Sequence, residues 1–192
     1  MRFVLASGSP RRRALLEAAG FDFDVEESGV EEALRAGEPA EAFAQRVARD
    51  KALRVAASRP PGSLILGADT VVVLDGEILG KPADAAEARR MLRRLSGGTH
   101  RVHTAVCLVR APKHVEAETL ETTRVTFRDL DEREIQEYIA SGEPFDKAGG
   151  YGIQGLASKF VSGLEGSYSN VVGLPIERVV EMFRPFLGTG SA

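Results

Sequence analysis

The chain has 192 residues, 43% of them hydrophobic and 28% charged, with a formal net charge of −3. This suits one domain or two closely packed lobes with length enough for a core, and it argues against a general basic coat for nucleic acid. One cysteine, Cys107, excludes an internal disulfide and predicts a cytoplasmic protein. No run approaches the roughly 20 apolar residues of a membrane span, and the opening "MRFVLASGSPRRR" has too short an apolar run for a signal peptide.

"RFVLA" predicts a buried strand, and Ser9 followed by Pro10 predicts the cap and first position of a helix to Ala19. "FDFDVEESGVEEALRAGEP" starts with period-two alternation and turns acidic and loop-like. "PAEAFAQRVARDKALRVAAS" is a long helix. "SLILGADTVVVLDGEILGKP" predicts an apolar strand, a break at Gly67-Ala68-Asp69, and a second strand leading into a hairpin at Asp75-Gly76. A helix follows with Ala88, Met91, Leu92 and Leu95 on one face.

"HRVHTAVCLVRA" and "AETLETTRVTFRDL" are two further strands, the second alternating as a half-buried antiparallel strand does. Asp131 and Glu134 have capping-box spacing at the start of "EREIQEYIASG". After a stretch with 7 glycines between Gly149 and Gly173, the last helix places Ile176, Val179, Val180, Phe183 and Leu187 at core spacing. The order predicts an α/β fold: a mixed, twisted sheet flanked by helices.

Arg11, Arg12 and Arg13 crowd the first turn of the first helix, the positive end of its dipole. A bound anion, phosphate above all, would suit them, because free N–H groups and guanidiniums would attract it together; Ser7-Gly8-Ser9 supplies hydroxyls and small residues for such a cradle. The alternative is a solvated basic helix face. Lys51 falls in the apolar stripe between Val47 and Val55, either snorkelling or delivering an ammonium to an internal anionic site. Asp69, placed by this pattern at a strand end, is a candidate metal ligand or general base, or else a turn residue. Glu31 and Glu32 offer a second metal carboxylate or a solvated acidic loop. Lys81 in "GKP" and Lys147 in "FDKAGG" are further cations.

Cys107 reads as packing. His100, His103 and His114 show no metal-ligand spacing, and there is no "GxSxG" or "GxxxxGK[ST]". What remains is equipment for a polyphosphate and a divalent cation.

These pieces resemble the Maf family of nucleoside triphosphate pyrophosphatases nearly end to end. The likeness is carried in order by "LASGSPRR", "ARDKA", "GADTVV", "GKP", "DKAGGYGIQG" and "GSYSNVVGLP". It implies a fold related to the inosine triphosphate pyrophosphatases (Maf/Ham1), a single Maf-like domain over residues 1–192 with two lobes and a deep cleft. It implies hydrolysis of a nucleoside triphosphate between the α and β phosphates with Mg²⁺ or Mn²⁺. Asp69 matches the proton acceptor, and Lys51 and Lys81, with Ser9 and Arg12, match residues that hold the triphosphate. Arg11, Thr70 and Gln154 match positions of substrate selection. For the metal, Asp69 and Glu31 are the expected carboxylates.

"YGIQG" resembles the branch acting on dTTP and UTP, with modified pyrimidine triphosphates as further substrates. Gly150, where relatives often carry serine or alanine, should only loosen the loop. Relatives also suggest a homodimer, and the alternative activity is a nucleotide-binding regulator of septum formation with little catalysis. Neither membrane nor nucleic acid is an expected partner. The unliganded arginine cluster should be strained by repulsion, so that Arg12→Ala weakens the response to ligand more than it weakens the fold.

Overall fold

The computed structural model describes residues 2–186. Its strands are β1 (Arg2–Leu5), β2 (Asp22–Val25), β3 (Leu64–Leu74), β4 (Glu77–Leu79), β5 (Thr99–Arg110), β6 (His114–Phe127) and β7 (Val161–Glu165). The helices are α1 (Pro10–Ala18), α2 (Ala40–Ala56), α3 (Ala85–Leu95), α4 (Glu132–Ala140), α5 (Tyr168–Val172) and α6 (Ile176–Phe183). Strand order is β2-β1-β3-β5-β6-β7, with β4 paired to β3 off this path. β1 runs parallel to β2 and β3, whereas β3–β4 and β6–β7 are antiparallel, so the sheet is mixed as the element order predicts.

Two compact units divide the chain. Among the described residues, the first comprises 2–69, 104–121 and 173–186; the second comprises 70–103 and 122–172. Strands β3, β5 and β6 each contribute residues to both. The first unit has a core of Phe3, Leu5, Leu16, Leu66, Leu108 and Phe183, among others, with Phe3 tilted against Phe183 at 4.5 Å between ring centroids. The second has its own core around Leu92, Leu95, Val125, Phe127, Tyr138 and Phe160.

The predicted break at Gly67-Ala68-Asp69 does not occur; β3 runs through it without interruption. Gly67 serves close approach instead. A Cβ there would stand 2.2 Å from the Ala48 carbonyl oxygen and 2.8 Å from the Ala52 nitrogen, so only glycine lets α2 lie this near the strand. The hairpin at Asp75-Gly76 is present, both residues having positive φ (52° and 82°), as the tight primed turn requires. Asp131 and Glu134 form the reciprocal capping box on α4.

Sequence patterning does not announce β7 or α5, both inside the glycine-rich stretch. On α6, Val179 and Phe183 are buried, but Val180 is 38% exposed and Met182 fills the core in its place. Leu187 lies outside the described residues. Gly150 also differs from expectation: its φ is 69°, a conformation that favours glycine, so the residue fits its turn rather than loosening it.

Candidate active site

In the first unit, three elements bring charged groups together. β3 presents Gly67 and Asp69 two residues apart, hence on one face. Ala48 and Ala52 of α2 lie against Gly67, and Lys51, on the same helical face, reaches Asp69. Its Nζ donates to Asp69 Oδ1 at 2.8 Å, and Glu32 Oε1 lies 2.6 Å from the same nitrogen. Lys51 and Asp69 are buried, whereas Glu32 is half-exposed. The lysine in the apolar stripe therefore does not snorkel; it delivers its charge to the buried Asp69 and to Glu32 at the surface beside it. Asp69 sits inside a strand and not at its end.

Burial pushes the Asp69 carboxyl above its ordinary value, with the Lys51 and Arg12 charges pulling the other way. The result is a partly desolvated carboxylate held in place by a cation, a suitable proton acceptor once solvent is displaced.

Arg12, in the first turn of α1, is buried as well. Its Nε donates to the Gly173 carbonyl at 2.8 Å and its Nη1 to Ser7 Oγ at 3.0 Å. Burial lowers its pKa, Asp69 and Glu32 raise it, and Arg11 lowers it further. Ser9 caps α1, accepting the Arg12 N–H at 3.4 Å. Arg11 is partly buried and Arg13 is exposed. The Arg11 charge thus disfavours that of Arg12, as expected of crowded arginines, but Arg12 is also hydrogen-bonded within the fold, where it ties α1 to the end of the "GSYSNVVG" segment.

Of the two adjacent acidic residues, Glu32 is the carboxylate that reaches Lys51; Glu31, the one expected beside Asp69 at a metal, is exposed and is not brought to that lysine. The choice between adjacent acidic residues depends on loop path, which composition does not encode. Among the described residues no group of three or more His, Cys, Asp or Glu could hold a metal ion. Asp69 and Glu32, both bonded to one ammonium, are carboxylate donors of the type Mg²⁺ takes one or two of. Cys107 is buried, and burial raises its thiol pKa, as suits a packing residue.

The second unit carries Thr70, Lys81 and Gln154. Thr70 follows Asp69 on β3 and is partly exposed. Lys81 is exposed and lines a pocket of about 280 Å³ with Arg90, Arg94, Glu77 and Glu87. Gln154 is exposed in the turn before the 3-10 segment Leu156–Phe160. Lys147 bonds locally, donating to the Glu143 carbonyl at 2.7 Å and to Asp146 Oδ1 at 2.6 Å. Asn170 is buried and donates to the Val102 carbonyl and to Thr123 Oγ1, at 3.0 and 2.9 Å; this gives the "GSYSN" motif a structural task that sequence reading does not reveal.

Among the described residues no helix is long and apolar enough to cross a membrane. A family model described as "Maf-like protein" matches residues 2–186. A Koribacter versatilis protein named dTTP/UTP pyrophosphatase is 53% identical over 184 residues, covering 96% of this chain and 94% of that protein. One of the same name from Methylococcus capsulatus is 50% identical over 192 residues, covering 100% of this chain and 94% of that protein. Among solved structures, the Mycobacterium abscessus nucleoside-triphosphatase / dITP/XTP pyrophosphatase aligns with a TM-score of 0.44 at 17% identity, covering 96% of this chain and 94% of that one. With the family model spanning every described residue and half of all positions shared with such relatives, the chain that carries this Lys51–Asp69 pair belongs to the Maf family.

Proposed function

We propose that the protein is a nucleoside triphosphate pyrophosphatase that hydrolyses dTTP and UTP between the α and β phosphates, giving the monophosphate and pyrophosphate. The observation that carries this reading is the buried Lys51–Asp69 pair with Glu32 and the Arg12 charge beside it, close to the capped start of α1. The two relatives with that name, sharing 53% and 50% of positions over nearly the whole chain, support the substrate class.

Asp69 takes the proton from the attacking water, and Lys51 keeps that carboxylate oriented. The free N–H groups of α1, Arg11 and Arg12 offset charge on the triphosphate and on the pyrophosphate as it leaves. Mg²⁺ or Mn²⁺, which Asp69 and Glu32 would hold together with phosphate oxygens, supplies further charge neutralisation. Lys81 is the proposed additional phosphate cation, and Thr70 and Gln154 the proposed selecting residues. A glutamine amide both donates and accepts, as a pyrimidine edge requires.

The test is steady-state turnover of dTTP, UTP and a panel of purine triphosphates with Mg²⁺, on the parent protein and on Asp69→Asn. We expect preference for the two pyrimidine substrates and a loss of at least about 10²-fold in the variant, with its unfolding transition still cooperative. Near-normal turnover by Asp69→Asn would remove Asp69 from the role. Tight binding without turnover in the parent would point to a regulator instead.

A further inference from the structure

Gln154 stands between Gly152 and Gly155 on a turn with little regular structure to hold it, yet the backbone on either side is pinned. The Gly152 N–H donates to the Tyr138 hydroxyl oxygen at 3.2 Å. The Leu156 N–H is shared by both carboxylate oxygens of Glu143, at 3.2 and 3.1 Å. Gln154 thus lies two residues from an anchor in each direction. Tyr138 is buried in the last turn of α4, and Glu143 opens the 3-10 turn Glu143–Asp146 that follows.

Two further observations show that this clamp is built in. A Cβ on Gly155 would stand 2.2 Å from Glu143 Oε2. The backbone of Gly155, at φ −97° and ψ −150°, is one that any residue adopts, so glycine is needed there for the carboxylate's approach and not for conformation. In addition, Tyr151 at the near end of the turn is buried, with its hydroxyl 2.6 Å from His100 Nε2 and its ring edge-on to Phe127. Tyr138 and Tyr151 from the second unit's core, with Glu143 nearer the surface, therefore fix the turn, while Gln154 is exposed.

We propose that Glu143, backed by Tyr138, is a positioning residue for substrate selection: it fixes the Gly152–Leu156 turn so that the Gln154 amide meets the pyrimidine edge in one orientation. This rests on the reading of Gln154 as a base-selecting residue. Glu143 spends its carboxylate on a backbone N–H and acts through Gln154. Without it the turn samples several positions, and the loss falls on discrimination between bases, since a hydrogen-bonding site rejects wrong partners only when its donors and acceptors are held in place.

The experiment measures kcat and KM for dTTP and dGTP, with Mg²⁺, for the parent, Gln154→Ala, Glu143→Ala and the double variant, together with Glu143→Gln and Gly155→Ala. Glu143→Ala should lower the dTTP-to-dGTP ratio of kcat/KM about tenfold, more through KM for dTTP than through kcat. Glu143→Gln, which keeps an acceptor for the Leu156 N–H, should retain most of the ratio. Gly155→Ala, which crowds the carboxylate off its place, should reproduce the loss. In the Gln154→Ala background, Glu143→Ala should add nothing.

A ratio that falls with Gln154→Ala but not with Glu143→Ala overturns the inference and leaves the Gln154 reading standing. An equal further loss in the double variant overturns it too, because Glu143 would then not act through Gln154. A ratio unmoved by Gln154→Ala refutes the base-selection reading and the inference with it. Should Glu143→Ala fail to fold, an unmoved ratio in Gly155→Ala overturns the inference on its own.

Discussion

Arg12 and Arg11 are neighbours in sequence with different tasks. Arg12 is buried against the Gly173 carbonyl and Ser7, so it is part of the fold before it is part of any phosphate site. Removing a charged donor from buried acceptors costs about 1–3 kcal/mol. Arg12→Ala should therefore lower the thermal midpoint of the unliganded protein, whereas Arg11→Ala should cost less of that stability. Arg11→Ala should instead reduce the stabilisation that pyrophosphate with Mg²⁺ confers, since a ligand that binds the native state stabilises it in proportion to its affinity. Thermal unfolding with and without pyrophosphate checks both statements. Undiminished ligand stabilisation in Arg11→Ala would take that residue out of the phosphate site.

At the scale of elements, the site depends on how closely α2 approaches β3, and Gly67 sets that distance. Gly67→Ala would press a methyl group against the Ala48 carbonyl and the Ala52 nitrogen, which are helix backbone and cannot swing aside. Overpacking of this kind costs about 1–3 kcal/mol, and it would move Lys51 away from Asp69. We expect Gly67→Ala to lose both stability and turnover in unfolding and kinetic measurements; full turnover would mean that the register of α2 against β3 does not matter.

The elements also show what was legible in the sequence. Lys51 was traceable because helical periodicity put a lysine among Phe43, Val47 and Val55, where a charge needs a partner. The cap of α4 was legible because Asp131 and Glu134 are a local signal three residues apart. Glycines are less legible: Gly67 has the local pattern of a strand break, although its role is set by α2, distant in the chain. Glu32 could not be told from Glu31, and the Glu143–Leu156 clamp spans 13 positions with no periodic pattern to mark it. Contacts of that kind exist only once the chain has folded.

For the molecule as a whole, a net charge of −3 masks a local concentration of cations around Asp69 and the start of α1. That local field, not the overall balance, suits a polyanionic substrate. The Maf family model accounts for the chain from residue 2 to residue 186. In the proposed reaction, water attacks the α phosphorus. The most direct measurement is hydrolysis of dTTP with Mg²⁺ in ¹⁸O-labelled water, with the products separated and weighed by mass spectrometry. Attack at that position yields dTMP carrying the label and unlabelled pyrophosphate. Formation of dTDP with orthophosphate, or label in the pyrophosphate, would contradict it.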